Sequence, residues 1–258
     1  VNYIRPYLGN PGAHLRNEQR QPIPTDMGMV ALPSLEGFLS FVDDSGNEIS
    51  RVDLGAPVND VAVDDIDGDG SIETLIARDD SLFQCFNADG TERFSYTHER
   101  QGVVNSMLYI GHVPMLYTFV VQRSPDMPKT ICVASGDQRL VGLNADGERQ
   151  WMFWSYAGLW SRHGLYDLNG DGVDEIVGGN GTVSQMDGLF FLDGKDTFEK
   201  RMSHTGWGST LLSLRIGDVN ADGREEVVVG NSATALWVAD PQRTDDEELW
   251  SRELGHAV

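Results

Sequence analysis

An all-β fold of repeated four-stranded units is what this 258-residue sequence predicts, and three observations carry it. Short runs rich in β-branched and aromatic residues recur along the chain between Gly, Asp and Asn turns, which is the pattern of strands. An acidic stretch occurs three times in one register: DIDGDGSIE (65–73), DLNGDGVDE (167–175) and DVNADGREE (218–226). A hairpin-like stretch occurs five times, as GFLSFVDDSGNEISRV, SLFQCFNADGTERFSY, QRLVGLNADGERQWMF, GLFFLDGKDTFEKRM and TALWVADPQRTDDEELW.

Spacing orders these elements. Asp167 to Asp218 is 51 residues, and Asp65 to Asp167 is 102, twice that. A further unit is therefore expected between the first two acidic stretches, with its turn near Leu116. The segment MLYIGHVPMLYTFVVQRSPDMPKTICVASG fills that place and reads as a unit whose acidic turn is replaced by a longer connection. Each hairpin with two strands ahead of it makes four strands in about fifty residues, the size of one propeller blade. One such sheet cannot bury both faces alone, so neighbours must stack around an axis. The prediction is a β-propeller of four-stranded blades, read as a single domain. Its five repeats are approximately 1–57, 58–103, 104–160, 161–209 and 210–258. The first is the least regular, and its inner strands are expected around MGMVALP. LGHAV at 254–258 resembles LGAPV at 54–58, so a closed five-blade ring and part of a larger propeller both remain open.

The acidic stretches call for a cation, because carboxylates this close repel unless positive charge lies between them. In the first, Asp65, Asp67 and Asp69 can turn inward around a bend released by Gly70, and the Ser71 carbonyl and Glu73 can close the shell. The second offers Asp167, Asn169, Asp171, the Val173 carbonyl and Glu175. The third offers Asp218, Asn220, Asp222, the Arg224 carbonyl and Glu226. All-oxygen sets of this kind suit calcium better than a soft transition metal. An EF-hand is excluded: its twelfth-position Glu is here Ile76, Gly178 or Val229, and strand-like residues follow where a helix would be needed. The expectation is three structural calcium ions.

Composition narrows the partners. The chain carries 19 basic and 40 acidic residues, a net charge of −21, which argues against a nucleic-acid backbone or an anionic membrane surface. No apolar tract is long enough to span a bilayer. Cys85 and Cys132 lie in apolar strand-like runs and read as buried free thiols. The chain starts at Val1 without an initiator Met or a signal peptide, so a processed protein or a piece of a longer one is expected. There is no GxSxG elbow, HExxH, Walker loop or dinucleotide fingerprint.

The three acidic stretches, each followed by a short aliphatic strand, resemble the FG-GAP/VCBS type of calcium-binding propeller repeat found in integrin α-subunit heads and many secreted bacterial proteins. The resemblance covers most of residues 58–258. It implies that each acidic loop joins the first two strands of a blade and holds calcium. The hairpins with NADG and a Trp or Phe are similar to quinoprotein outer strands, although no vicinal cysteine pair accompanies them.

In such blades the calcium loops and NADG turns share one face, and the links between blades lie on the other. Those links are rich in aromatic and basic residues: His98, Glu99 and Arg100; Trp154, Tyr156, Trp160, Arg162 and His163; His204 and Trp207; and His256. Rings that stack on sugar faces, together with Arg and His, predict a glycan-binding face, with Trp154, Trp160, Trp207, His98 and Arg100 as ligand contacts. A sharper version is a polysaccharide lyase acting on uronate-containing glycan, which some calcium-bearing propeller lyases such as rhamnogalacturonan lyases resemble. His163, His204 or Tyr156 would then take the proton, and Arg162 would stabilise the developing charge. The bland alternatives are packing between sheets for the aromatics and a protein–protein scaffold or adhesin domain for the whole. Calcium loops of this kind need the high free calcium found outside the cytosol, so an extracellular, cell-surface or periplasmic location is expected.

Overall fold

The computed structural model describes residues 23–24, 30–99, 112–154, 160–180, 189–202, 211–231, 235–243 and 248–255. Among them lie five four-stranded sheets, each a meander of consecutive antiparallel neighbours. The first holds β1 (Ile23–Pro24), β2 (Val30–Pro33), β3 (Phe38–Val42) and β4 (Glu48–Asp53). The second holds β5 (Val58–Asp64), β6 (Glu73–Arg78), β7 (Leu82–Phe86) and β8 (Glu92–Thr97). The third holds β9 (Met115–Val121), β10 (Thr130–Ser135), β11 (Arg139–Leu143) and β12 (Arg149–Trp154). The fourth holds β13 (Trp160–Tyr166), β14 (Glu175–Asn180), β15 (Leu189–Leu192) and β16 (Lys200–Met202). The fifth holds β17 (Leu211–Gly217), β18 (Glu226–Asn231), β19 (Ala235–Ala239) and β20 (Glu248–Glu253). No helix among the described residues is long and apolar enough to cross a membrane.

The chain forms two compact units. One holds Pro128–Met152 and the described residues up to Gln122; the other holds Arg123–Met127 and the described residues from Phe153 onward. Within each sheet burial follows strand position. The second strand is apolar on both faces and wholly buried in β6, while the outermost β4 is almost wholly exposed. That is why TLIA and TICVA read as continuous apolar runs instead of alternating ones. In the first unit Leu75, Ala77, Phe83, Cys85, Met115, Ile131, Val133, Val141 and Leu143 form one core. In the second unit Tyr166, Val177, Phe191, Met202, Leu214, Val227, Val229 and Trp237 form another. Both cysteines are free and buried, and burial pushes the Cys85 thiol up to about 12.

The hairpins follow their turn residues. In the turn joining β7 to β8 the Asn87 and Thr91 backbones pair, and Gly90 takes φ 82°. Asn144 and Gly147 repeat this between β11 and β12, and Asp43 and Gly46 between β3 and β4. Gly142 answers to packing instead: the Trp151 indole of the neighbouring strand lies across it, and a Cβ there would sit 2.1 Å from the ring.

Two expectations are corrected. Leu116, where a turn was expected, lies inside β9, and the connection to β10 runs over 122–129, as many positions as 65–72, so it is not longer. The 51-residue register fails at this point because β9 starts 57 residues after β5 and β13 only 45 residues after β9. Trp160, placed at the end of the third repeat, opens β13 of the fourth sheet.

Among the described residues the first strand of each sheet has a strand neighbour on one side only, and in the first unit side chains fill part of the other side's role. Asp60 Oδ2 accepts the Thr118 N–H of β9 at 2.8 Å, and Asn59 Nδ2 donates to the Met115 carbonyl at 2.8 Å. The β5–β6 register shifts between Val58 and Asp60, at Asn59, which turns two successive polar side chains toward β9. Burial raises the Asp60 pKa to about 8 against the opposing pull of its backbone bonds.

A raised folded-state value means that the stability contributed by neutral Asp60 is complete below the ordinary value of 3.8 and is lost as pH rises through about 8. Thermal melts in chelator are therefore expected to fall between pH 6 and pH 9, and Asp60→Asn to flatten most of that fall. Gly142→Ala is expected to cost about 1–3 kcal/mol in urea unfolding, because the Trp151 ring must move.

Candidate functional site

The three acidic loops adopt one geometry. In each, the ninth residue is the first residue of a strand, paired across to the residue just before the loop: Glu73 to Asp64, Glu175 to Tyr166, and Glu226 to Gly217. These three glutamates are at most 1% exposed. One carboxylate oxygen of each accepts the N–H of the second loop residue, at 3.1 Å for Ile66, 2.8 Å for Leu168 and 2.9 Å for Val219. The first-position aspartate caps the bend from inside. Asp65 accepts the Gly68 and Gly70 N–H groups, Asp167 those of Gly170 and Gly172, and Asp218 that of Gly223. The third residue accepts the N–H of the fifth, as Asp67 to Asp69, Asn169 to Asp171 and Asn220 to Asp222. The fifth accepts the N–H of the seventh: Ser71, Val173 and Arg224. These are local Asx-type bonds, which is why short polar residues alternate along the stretch.

Positive φ falls at the same two loop positions each time. Gly68 and Gly70 take 80° and 89°, and Gly170 and Gly172 take 77° and 81°. In the third loop Gly223 takes 89°, but the fourth position is Ala221 at 62°, a strained conformation for a residue with a Cβ.

The donor chemistry fits a hard cation. Asp65, Asp67 and Glu73 each present an oxygen, and the three lie within 4.8 Å of one another. Burial raises the pKa of Glu73, and the charges of Asp67 and Asp69 add to it. Burial likewise raises Glu175 and Asp174. Crowded, desolvated carboxylates of this kind gain from a divalent ion, and the first set could hold one through Asp65, Asp67, Asp69 and Glu73. Basic side chains already face each loop. Arg93 Nη2 lies 2.8 Å from Asp67. Arg123 donates to the Asp174 carbonyl at 2.5 Å and to the Asp193 carbonyl, with Glu175 3.7 Å away. Arg224 pairs with Asp222 at 3.2 Å and with Asp240 at 3.1 Å. The sequence reading passed over Arg93 and Arg123, because both come from elements adjacent to the loops in space and distant along the chain.

The link residues fare unevenly. His98 is 3% exposed, and its Nε2 lies 2.9 Å from Asp137 Oδ1, while Ser135 Oγ donates to the same oxygen at 2.5 Å. It stands inside the unit, not on a surface open to ligand. His112, which the sequence reading did not single out, similarly faces a turn aspartate, with Nε2 3.7 Å from Asp79. Glu99 directly follows His98. Trp154, at the end of the outermost strand β12, is 42% exposed. Trp160, Arg162 and His163 all lie on β13, opposite Asn180, Gly179 and Gly178, and His163 is half-buried. Arg100, Tyr156, His204, Trp207 and His256 lie outside the described residues.

Comparison with known proteins agrees with this architecture. Residues 167–229, from the second acidic loop into β18, match the profile of the FG-GAP-like repeat. The quinohemoprotein alcohol dehydrogenase ADHIIG of Pseudomonas putida HK5 superposes with a TM-score of 0.65 at 16% identity, covering 90% of this chain and 41% of that one. BamB from Moraxella catarrhalis gives a TM-score of 0.59 at 13% identity, covering 93% and 66%. The fold is of the β-propeller kind. In sequence, the chain is similar to the lambda-carrageenase of Pseudoalteromonas carrageenovora, 24% identical in an alignment 226 residues long that covers 79% of this chain and 22% of that enzyme. A lambda-carrageenase of another Pseudoalteromonas matches to the same extent. The chain thus corresponds to little more than a fifth of the curated relatives' length.

Ala221→Gly is expected to stabilise the chelated protein by roughly 0.5–1 kcal/mol, since relief of the left-handed strain exceeds the added freedom of the unfolded chain. Gly223→Ala is expected to destabilise it by about 1 kcal/mol or more. Urea unfolding of both variants checks the pair.

Proposed function

We propose that this chain is a calcium-stabilised β-propeller recognition module that binds glycan outside the cytosol. The observation that carries the reading is its similarity, over 79% of its length, to an enzyme named for cleaving a carrageenan. A segment that matches only 22% of that enzyme is better suited to a module that serves a polysaccharide enzyme than to the whole of one.

Calcium would be held by Asp65, Asp67, Asp69, Ser71 and Glu73, by Asp167, Asn169, Asp171, Val173 and Glu175, and by Asp218, Asn220, Asp222, Arg224 and Glu226. Bound there, it supplies positive charge that neutralises the carboxylates. The chain's own residues do the positioning: the buried ninth-position glutamate ties the loop to the second strand, and the first-position aspartate gathers the bend. Glycan would be met on the link face, with the exposed Trp154 ring as a stacking platform. Trp160, Trp207 and Arg100 complete the proposed contacts, and the buried His98 contributes by fixing the Asp137 turn instead of by contact.

Catalysis on an acidic polysaccharide is the second reading, favoured by the relative being an enzyme. His163, His204 or Tyr156 would act as base beside Arg162. The step is an elimination that needs a uronate carboxylate beside the proton removed, so ultraviolet absorbance of unsaturated sugar products across uronate-containing polysaccharides is the readout, and a flat trace on every substrate removes it.

Retardation in gels containing carrageenans and uronate polysaccharides is expected for the calcium-loaded protein. Trp154→Ala should weaken that retardation up to about tenfold, in line with loss of an aromatic contact worth about 0.5–1.5 kcal/mol. Chelation is expected to lower the melting temperature by several degrees, and metal analysis to find about three calcium ions per chain. Absence of retardation on every glycan would favour a scaffold function.

A further inference from the structure

The first acidic loop carries one more acid at its proposed ligand positions than the other two, and the arginine that faces it comes from the outer strand of its own sheet. Its third position is Asp67, where the second and third loops carry Asn169 and Asn220. Facing that extra carboxylate is Arg93, on β8 just past the Asn87–Gly90 turn. After the other NADG turn, in the sheet that has no acidic loop, the matching residue is Gln150. The guanidinium places Nη2 2.8 Å from Asp67 Oδ2 and Nη1 3.8 Å from Glu73 Oε1, and so faces two of the three carboxylates whose oxygens converge within 4.8 Å. Its side chain is 21% exposed. On the loop's other shoulder Lys129 Nζ takes Asp64 Oδ1 at 2.5 Å and the Asp65 carbonyl at 2.7 Å, which leaves Arg93 as the cation that reaches the convergent side chains.

We propose that Arg93 is a resident counter-cation of the first loop, which calcium must outcompete at Asp67 and Glu73, so that Arg93 sets the calcium affinity of this site. The inference rests on the calcium reading above and deepens it. With Arg93 in place the four acids of the loop act as three, and a divalent ion arriving beside a fixed guanidinium is repelled by it. At separations of a few ångströms near a protein surface, such a repulsion changes affinity by about tenfold or more. Without calcium, the same guanidinium keeps the four acids from driving the loop apart. Exchange of one cation for another then lets this blade remain folded while its ion comes and goes.

The test is a calcium titration of the full chain against a chromophoric chelator, for the wild type, Arg93→Gln and Arg93→Lys. The wild type is expected to take up three ions. Arg93→Gln is expected to tighten one of the three sites about tenfold and to lower the melting temperature in excess chelator. Arg93→Lys keeps the charge and is expected to stay within about threefold of the wild type. Should Arg93→Gln not fold, the wild type gives a second readout. The Arg93 Nε–Hε NMR signal, assigned by its loss in Arg93→Lys, is expected to shift as calcium binds the first loop. Three ions bound with no tightening in Arg93→Gln, or with weakening, overturns this inference alone, as does an unmoved Nε–Hε signal. A wild type that takes up no calcium overturns the calcium reading and this inference with it.

Discussion

The blades with acidic loops depend on a buried carboxylate. Glu73, Glu175 and Glu226 each open a second strand with the side chain out of water, one oxygen on the N–H of the second loop residue. Burying an ionised group is costly unless it is paired and hydrogen-bonded. That cost explains the rest of the loop: Asx-type bonds hold the bend in one shape, and basic groups or a divalent ion answer the charge. Because the glutamate sits at the start of the strand, whatever satisfies it also fixes where the strand begins, and so fixes the register of the sheet.

A related constraint acts at the first strand of a sheet. Such a strand has a hydrogen-bonding partner on one side only, and unpaired N–H and C=O groups cannot be buried without cost. In the first unit Asn59 and Asp60 meet this need for β9 by reaching across from β5. His98 and Asp137 do similar work near the strand ends, tying the residue after β8 to the turn between β10 and β11. Polar side chains thus link neighbouring sheets where backbone pairing stops. Residues that look like ligand contacts in a list of link-segment histidines can serve this purpose instead.

The third sheet shows how a blade manages without the acidic loop. Its β9–β10 connection has the same number of positions as 65–72, but its basic residues point outward. Arg123 spends its donors on the carbonyls of Asp174 and Asp193, and Lys129 on Asp64 and the Asp65 carbonyl. The blade without its own acidic turn therefore contributes positive charge to acidic turns elsewhere, which suits a chain with a net charge of −21.

Much of this was legible in the sequence because it is local. The tight bend released by Gly at the sixth position and the apolar runs that form buried strands were both read correctly, as were the five hairpins; the Asx-type bonds that hold the bend were not foreseen. Leu116 was misplaced because an even repeat was assumed, whereas β9 starts 57 residues after β5 and β13 only 45 after β9. The partners Arg93, Arg123, Lys129 and Asp137, and the burial of His98, were hidden because each depends on which strands become neighbours. The sequence by itself determined the blades and their acidic turns, since those follow from bonds between near neighbours in the chain. Only the tertiary structure decided which cation faces which carboxylate and which histidine is buried, since Coulomb forces and desolvation act through space, across separations that chain order does not encode.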